Sequence, residues 1–162
     1  MDRSLIDQYE AGGAKLLRSV AQLSAEDLRW VPPADAQIGK WSIQQIVLHL
    51  MDSDLIWASR MKAIIAEDNP TLLGFDENRF AAWLFYDDQI AESAIGLLDL
   101  NRRQFSRVLR KLADSAFSRT GRHSERGNIS LGECVKLMVE HIDHHVGFIV
   151  KKRQAMGKPA KE

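Results

Sequence analysis

The chain has 162 residues, of which 45% are hydrophobic and 27% charged, and its 22 Lys plus Arg balance its 22 Asp plus Glu. This apolar content is too high for a disordered chain, and the longest purely apolar run, Phe80 to Tyr86, is far shorter than the roughly 20 residues of a membrane-spanning helix. A net charge of zero argues against non-specific nucleic-acid binding. The polar N-terminal segment and the single cysteine are typical of a cytoplasmic protein. We therefore expect one domain over residues 1–162, with no membrane and no nucleic acid as partner.

The charges are unevenly distributed along the chain. Residues 1–81 carry 8 basic and 12 acidic side chains, whereas residues 82–162 carry 14 basic and 10 acidic ones. The largest basic excess lies in the segment 102–122, where seven basic residues face only Asp114. This segment forms either an anion-binding face or a solvated helix face with its following loop. The second interpretation is favoured because such surfaces are common.

Apolar residues recur at helical spacing in four long stretches, and no stretch alternates convincingly at the two-residue period of a strand. The stretches predict four long helices, over residues 4–23, 42–67, 87–112 and 130–156. A short turn of helix follows Ser24, and residues 114–128 are predicted to form a loop. Ser42 and Ser130 each begin a capping box, with Gln or Glu three residues later.

Four amphipathic helices of this length predict an all-α protein with a four-helix bundle. The connection 68–86 contains an extra apolar segment, so a bundle with a crossover connection is as compatible with the sequence as a simple up-down-up-down bundle. The Gly12-Gly13 pair inside the first helix indicates close packing against a neighbouring helix.

Two of the five histidines, His141 and His145, are four residues apart on the fourth predicted helix. This spacing corresponds to about 40° of rotation and about 6 Å of rise, so both imidazoles project from one face, with His144 at its edge. Two imidazoles at this spacing can share a divalent ion. They follow Met138 on an apolar, inward stripe, and His49 lies on the inward stripe of the second helix.

Three inward histidines from two helices could meet around one ion that keeps at least one position open for water or a substrate atom. Imidazole suits Zn, Ni, Fe and Cu, so the ligand type does not identify the metal. The competing interpretation is that His141 and His145 are hydrogen-bonded core histidines and that His49 is unrelated to them. Coordination is the more favourable arrangement for a buried imidazole that lacks another partner.

The segment 39–52, in which Trp41-Ser42 opens a helix and His49-Leu50-Met51-Asp52 follows, resembles the DinB/YfiT-like superfamily. The late segment 141–145 (His-Ile-Asp-His-His), with Arg153 downstream, resembles it too, so that the similarity spans nearly the whole chain. The resemblance implies an up-down-down-up four-helix bundle, commonly a homodimer, with a metal triad at His49, His141 and His145. In this superfamily some members are thiol S-transferases that use low-molecular-weight thiols such as bacillithiol or mycothiol, others resemble maleylpyruvate isomerase, and many have no established activity.

Other residues near the predicted ligands have alternative interpretations. Asp52 lies three residues after His49 and could orient a ligand imidazole or act as a base, or it could be a surface carboxylate. Cys134 is best interpreted as a small core residue. His123 is expected to be exposed, since no partner lies at ligand spacing. Four aromatic residues are candidates for the wall of a substrate pocket, although a core or interface role is more typical of the second and third: Trp41, Trp57, Trp83 and Tyr86.

The sequence thus favours a metal-dependent enzyme in which Zn, Ni or Fe, held by His49, His141 and His145, activates a thiol or water for attack on a small-molecule electrophile. By resemblance, a low-molecular-weight thiol is the expected co-substrate and a thiol S-transferase the expected activity. The alternative is a non-catalytic helical dimer that binds metal or a small ligand.

Overall fold

The computed structural model of the protein describes residues 1–33 and 38–160. Its helices are α1 (Ser4–Val20), α2 (Ala25–Arg29), α3 (Ile43–Ala66), α4 (Glu77–Trp83), α5 (Ala91–Lys111) and α6 (Leu131–Ala155), with a 3₁₀ helix at Asp114–Ser118. The strands are β1 (Thr71–Leu72), β2 (Thr120–His123) and β3 (Gly127–Ser130). The four long helices expected from the sequence are α1, α3, α5 and α6, and none of these helices combines the length and apolar character needed to cross a membrane.

The four long helices form a bundle in which α1 and α3 lie diagonally opposite each other, and each of them packs against α5 and α6. Helices α3 and α5 run in the same direction. Gln44, near the start of α3, donates to the carbonyl of Tyr86 just before α5, and further along Asp54 accepts from Arg102. A parallel pair of consecutive long helices requires the connection between them to cross the length of the bundle.

The contacts of α1 fix the remaining directions. The start of α1 lies at the end of α5, where Arg3 donates to the carbonyl of Leu109, so these two helices are antiparallel. The end of α1 lies at the end of α6, where Arg153 donates to the carbonyl of Ser19, so this pair is parallel. The bundle is therefore up-down-down-up with a crossover connection, as the sequence resemblance implied.

Side-chain caps set where the helices that carry the histidines begin. Ser42 accepts a hydrogen bond from the Gln45 amide, and Gln45 accepts one from the Ser42 amide, which confirms the capping box before α3. Ser130 and Glu133 form the same reciprocal pair before α6. His49 consequently lies about two turns from the start of α3.

Residues 114–128 were expected to form a loop, but they contain the 3₁₀ helix, strand β2 and the beginning of β3. Strand β2 pairs with β3 in antiparallel register and with β1 in parallel register, which places Thr71 opposite Arg122. These strands have only two to four residues, too few for an alternating pattern to be recognised in the sequence. The sheet joins the connection before α4 to the connection before α6.

The basic segment 102–122 is only partly a solvated surface. Arg102 is fully buried and donates from Nε to Asp54 at 2.6 Å, and from its terminal nitrogens to the backbone carbonyls of Tyr9 and Met138. Arg119 is half-buried and donates to the carbonyl of Ile64. The interpretation as a solvated face is thus wrong for Arg102, because a neighbouring helix supplies a buried carboxylate that the sequence spacing does not reveal.

Candidate metal centre

Three histidine side chains converge between α3 and α6. His49 comes from α3, and His141 and His145 come from successive turns of α6. Their ring centroids are 4.7–5.1 Å apart, and one ring nitrogen of each lies within 4.8 Å of the others. The Nε2 atoms of His49 and His141 are separated by only 3.1 Å. The structure therefore brings together all three residues that the sequence selected as metal ligands.

Burial keeps these three imidazoles uncharged at neutral pH. His49 is 1% exposed, and His141 and His145 are partly buried. Desolvation, reinforced by the neighbouring imidazoles, lowers the pKa of each of the three from 6.5 to about 3. Neutral imidazole is the form that binds a metal ion, so no proton has to be removed before coordination.

The arrangement fits a divalent metal ion better than a group of ordinary core histidines. Within residues 1–33 and 38–160, no hydrogen-bond partner is found for the Nδ1 atom of any of the three, so these rings lack the hydrogen bond at that nitrogen that normally holds a buried core histidine. Two nitrogens bound to one tetrahedral zinc ion at about 2.0–2.1 Å lie about 3.3 Å apart. That separation is close to the one between the Nε2 atoms of His49 and His141. An all-imidazole donor set suits zinc, nickel or iron.

Asp52 lies near the histidines in sequence but is bound to another group. The hydroxyl of Tyr86 donates to Oδ2 of Asp52 at 2.6 Å. In the described part of the chain, no hydrogen bond joins Asp52 to His49, His141 or His145. Its catalytic role stays a prediction, and the contact that the structure gives it is with Tyr86.

Glu77 is the acidic residue that the structure does place at the imidazoles. Its Oε2 atom is 3.8 Å from Nε2 of His49, and its side chain is 56% exposed. Glu77 was not predicted as a site residue, because it lies in the connection 68–86, 28 residues from His49 in sequence. One signal was available: Asp76 caps α4 by accepting from the amides of Asn78 and Arg79, which places Glu77 in the first helical turn.

Aromatic side chains surround the site. The ring centroid of Trp41 is 4.9 Å from that of His49. Trp57 stacks on His123 with ring centroids 5.4 Å apart and planes 10° apart, and His123 is only 4% exposed. The expectation that His123 is exposed was therefore wrong, because β2 carries it against α3. Trp83, by contrast, is 72% exposed and does not wall the site.

Two cavities adjoin the imidazoles, and Glu77 lines both. The first, which we call the α3 cleft, has a volume of about 150 Å³ and includes His49, Ser53, Trp57, Arg60, His123 and His141. The second has a volume of about 250 Å³ and includes His145, Trp41, Phe148 and Lys152. In this second cavity Lys152 donates to the carbonyls of Ile38 and Gly39, and burial lowers the pKa of its ammonium group to about 8.

A protein-family model described as the DinB superfamily matches residues 8–149. The chain belongs to the DinB superfamily. Among its curated relatives, YfiT of Bacillus subtilis is 31% identical over 156 residues, which cover 94% of this chain and 84% of YfiT. A relative from Oceanobacillus iheyensis is 32% identical over 111 residues; the match covers 68% of this chain and 64% of the relative, just under two thirds of its length. Both relatives carry the name "putative metal-dependent hydrolase".

Two solved structures support the same fold. The structure of YfiT from Bacillus subtilis matches with a TM-score of 0.87 and 26% identity in the structural superposition, over 95% of this chain and 86% of that chain. It is described as a probable metal-dependent hydrolase with an unusual four-helix bundle topology. A mycothiol-dependent maleylpyruvate isomerase matches with a TM-score of 0.68 and 11% identity, over 90% of this chain and 59% of that chain. At 11% identity, the similarity to the isomerase supports only the fold of this DinB superfamily member.

Proposed function

We propose that this protein is a metal-dependent enzyme in which His49, His141 and His145 hold one divalent ion and a water or a thiol attacks a small electrophile. The observation that carries the proposal is the convergence of three neutral imidazole nitrogens within 4.8 Å. The names of the curated relatives support it. When bound, a divalent ion with an open position supplies Lewis acidity, which lowers the pKa of a water or thiol toward neutrality.

The surrounding side chains have distinct tasks in this proposal. Glu77, 3.8 Å from His49, accepts the proton that the nucleophile loses as it bonds to the electrophile, and returns that proton to the leaving group. Trp41 packs beside His49 and Phe148 beside His145, so both restrict the access of bulk water. Asp52 accepts a hydrogen bond from the Tyr86 hydroxyl, and no step of the proposed reaction is assigned to it.

The nucleophile decides the reaction class. Attack by water makes the protein a hydrolase, in line with the names of its relatives, and attack by a low-molecular-weight thiol makes it an S-transferase. Assembly as a homodimer and a cytoplasmic location remain predictions, of which the first is measured by light scattering after size-exclusion chromatography.

Metal binding is tested first. We expect one equivalent of zinc, nickel or iron in protein that has been stripped with a chelator and reloaded, as measured by plasma mass spectrometry. The variant His145→Ala should lose this metal. The matched control is His144→Ala, which removes the adjacent and exposed histidine of the same helix and should retain it. Wild-type protein that folds but binds none of these ions would refute the proposal.

Catalysis is tested separately from metal binding. Metal-loaded protein is assayed with a panel of activated esters and amides, and with low-molecular-weight thiols plus a chromogenic electrophile. Turnover that depends on the metal and disappears in His145→Ala supports an enzyme, and the panel that responds identifies the nucleophile. Stoichiometric metal without turnover in either panel supports the alternative of a non-catalytic metal-binding protein.

A further inference from the structure

Arg60 is a buried cation in the α3 cleft. It lies 11 residues after His49, a spacing that brings it back to nearly the same face of α3 about 16 Å along the axis. The side chain is only 7% exposed. Its guanidinium carbon lies 4.6 Å from the ring centroid of Trp57 and 5.9 Å from that of Phe75, and one terminal nitrogen donates to the carbonyl of Leu73. Aromatic packing thus fixes the plane of the guanidinium inside the cleft.

The charge of Arg60 lacks a carboxylate partner. Among the residues that the structure describes, no Asp or Glu oxygen lies within 4 Å of its nitrogens. Of the two other buried arginines, Arg102 is paired with Asp54 at 2.6 Å, and Arg153 donates to four backbone carbonyls, whereas Arg60 donates to one. Glu125 and Arg126, which carry opposite charges, also line the cleft, and both are exposed. A buried cation is unfavourable unless it is paired. The N–H groups of Arg60 that the protein leaves free are therefore available to an anion that enters the cleft.

The cleft connects this cation with the imidazoles. His49 and His141 line one part of it, Arg60 lines another, and Ser53 and Trp57 follow His49 along the same face of α3. Trp57, on which the guanidinium packs, is eight residues and about 12 Å along the axis from His49. A single molecule about 12 Å long can contact both the guanidinium of Arg60 and the imidazole of His49.

We propose that the α3 cleft binds an elongated substrate whose carboxylate pairs with Arg60 while its reacting group lies at His49 and His141, on the order of 10 Å away. A carboxylate fits better than a phosphate, because Glu77 and Glu125 line the same cleft and oppose a dianion. The placement of the reacting group rests on the function proposed above, whereas the binding of the carboxylate does not. Arg60 is thus a specificity-determining residue for an acidic substrate.

The test uses hexanoate, an unbranched carboxylate, and metal-free protein, so that the carboxylate cannot bind a metal ion instead. We expect hexanoate to shift the Nε–H resonance of Arg60 in nitrogen-15 spectra of the wild-type protein, and hexanamide to leave it unchanged. We expect Arg60→Gln to weaken hexanoate binding at least tenfold. Arg60→Lys, which keeps the charge, should weaken binding less than Arg60→Gln. The control Arg107→Gln, an exposed position on α5, should bind as the wild type does.

Three results would overturn the proposal. These are equal affinity of hexanoate for Arg60→Gln and the wild type, equal affinity of hexanamide and hexanoate for the wild type, and no detectable binding in the wild-type spectra; each removes the role of Arg60. Inorganic phosphate that displaces hexanoate with a higher affinity would reassign the anion as a phosphate. Because the wild-type spectra need no variant, a folding defect of Arg60→Gln leaves the test decisive. Because no metal is present, its result is independent of whether His145→Ala loses metal.

Discussion

Arg102 on α5 and Asp54 on α3 form an ion pair at 2.6 Å in which neither side chain is exposed. The same guanidinium donates to the carbonyl of Tyr9 on α1 and to that of Met138 on α6, so a single side chain contacts all four long helices. Met138 is three residues before His141, and Asp54 is five residues after His49. The ion pair therefore fixes α3 relative to α6 about one turn from the histidines.

Replacing Arg102 should lower the stability of the folded protein. In Arg102→Met, Asp54 is left buried without its cation, and we expect the free energy of unfolding to fall by about 3–5 kcal/mol. Urea denaturation followed by circular dichroism measures it, with the exposed Arg107→Met as control. Adding Asp54→Leu to Arg102→Met should recover part of the loss. A single variant within about 1 kcal/mol of wild type would show that the pair contributes little.

Gly13 lies where α1 and α5 approach each other closely, as the glycine pair in the sequence indicated. A Cβ atom at this position would lie 2.7 Å from the α-carbon of Asp99, which is backbone and cannot rotate away. We expect Gly13→Ala to lower the free energy of unfolding by about 1–3 kcal/mol. The matched control is Gly96→Ala on α5, where nothing lies within 4 Å and helix propensity alone should raise stability by up to about 1 kcal/mol. Equal effects of the two substitutions would contradict the close approach.

The stability of the metal-free protein should fall as the pH is lowered. The pKa of His49, His141 and His145 is about 3 in the folded protein and near 6.5 in the unfolded chain, which therefore binds more protons between these values. We expect His49→Gln to reduce the slope of the unfolding free energy between pH 6 and pH 4.5 by up to about 1.4 kcal/mol per pH unit. Urea titrations at several pH values measure it. Gln154→Asn, at an exposed position of α6 that carries no titrating group, should keep the wild-type slope.

Metal affinity should change little between pH 7 and pH 5. The imidazoles of the folded protein are already neutral over this range, so protons do not compete for the ligand nitrogens until the pH approaches about 3. Cobalt binding, followed by its visible absorption, measures the dissociation constant at each pH. A loss of about tenfold or more per pH unit below pH 6 would mean that the histidines titrate as exposed groups do.

Glu77→Gln should reduce turnover without removing the metal. The amide cannot accept the proton of the nucleophile, so we expect kcat to fall by about 10²–10⁴-fold once a substrate is known. Metal content should stay near one equivalent, since three histidines supply the ligands. Glu92→Gln, an exposed acidic position on α5, serves as control. Loss of metal in Glu77→Gln would instead identify Glu77 as a ligand.

The long helices were predictable from the sequence, because a regular pattern extends over many of their residues. The periodicity of apolar side chains located α1, α3, α5 and α6, and two capping boxes fixed the starts of α3 and α6. The i, i+4 pair of histidines on α6 depends only on helix geometry, and His49 lies on the inward face of α3 for the same reason. These local regularities suffice to bring the three imidazoles together once the helices pack.

The features that could not be predicted depend on contacts between segments that are far apart in sequence. His123 is buried because a four-residue strand lays it on Trp57, and a strand so short leaves no periodic pattern. Glu77 reaches His49 through the packing of α4 on α3, which no spacing in the sequence encodes. Arg102 looked like one of many surface arginines because its partner, Asp54, is 48 residues away.

The small sheet separates the metal ligands, which lie on the bundle helices, from much of the wall of the α3 cleft. The bundle helices carry the imidazoles, whereas Phe75, Glu77, His123, Glu125 and Arg126 reach the α3 cleft from the two connections that β1 and β2 join. Insertions or substitutions in these connections can reshape the cleft while the packing of α3 against α6 stays the same. This division makes the protein a suitable scaffold for loop libraries: exchanging residues 73–75 and 124–126, which leaves Glu77 and the three histidines in place, offers a way to select new substrates without rebuilding the metal centre.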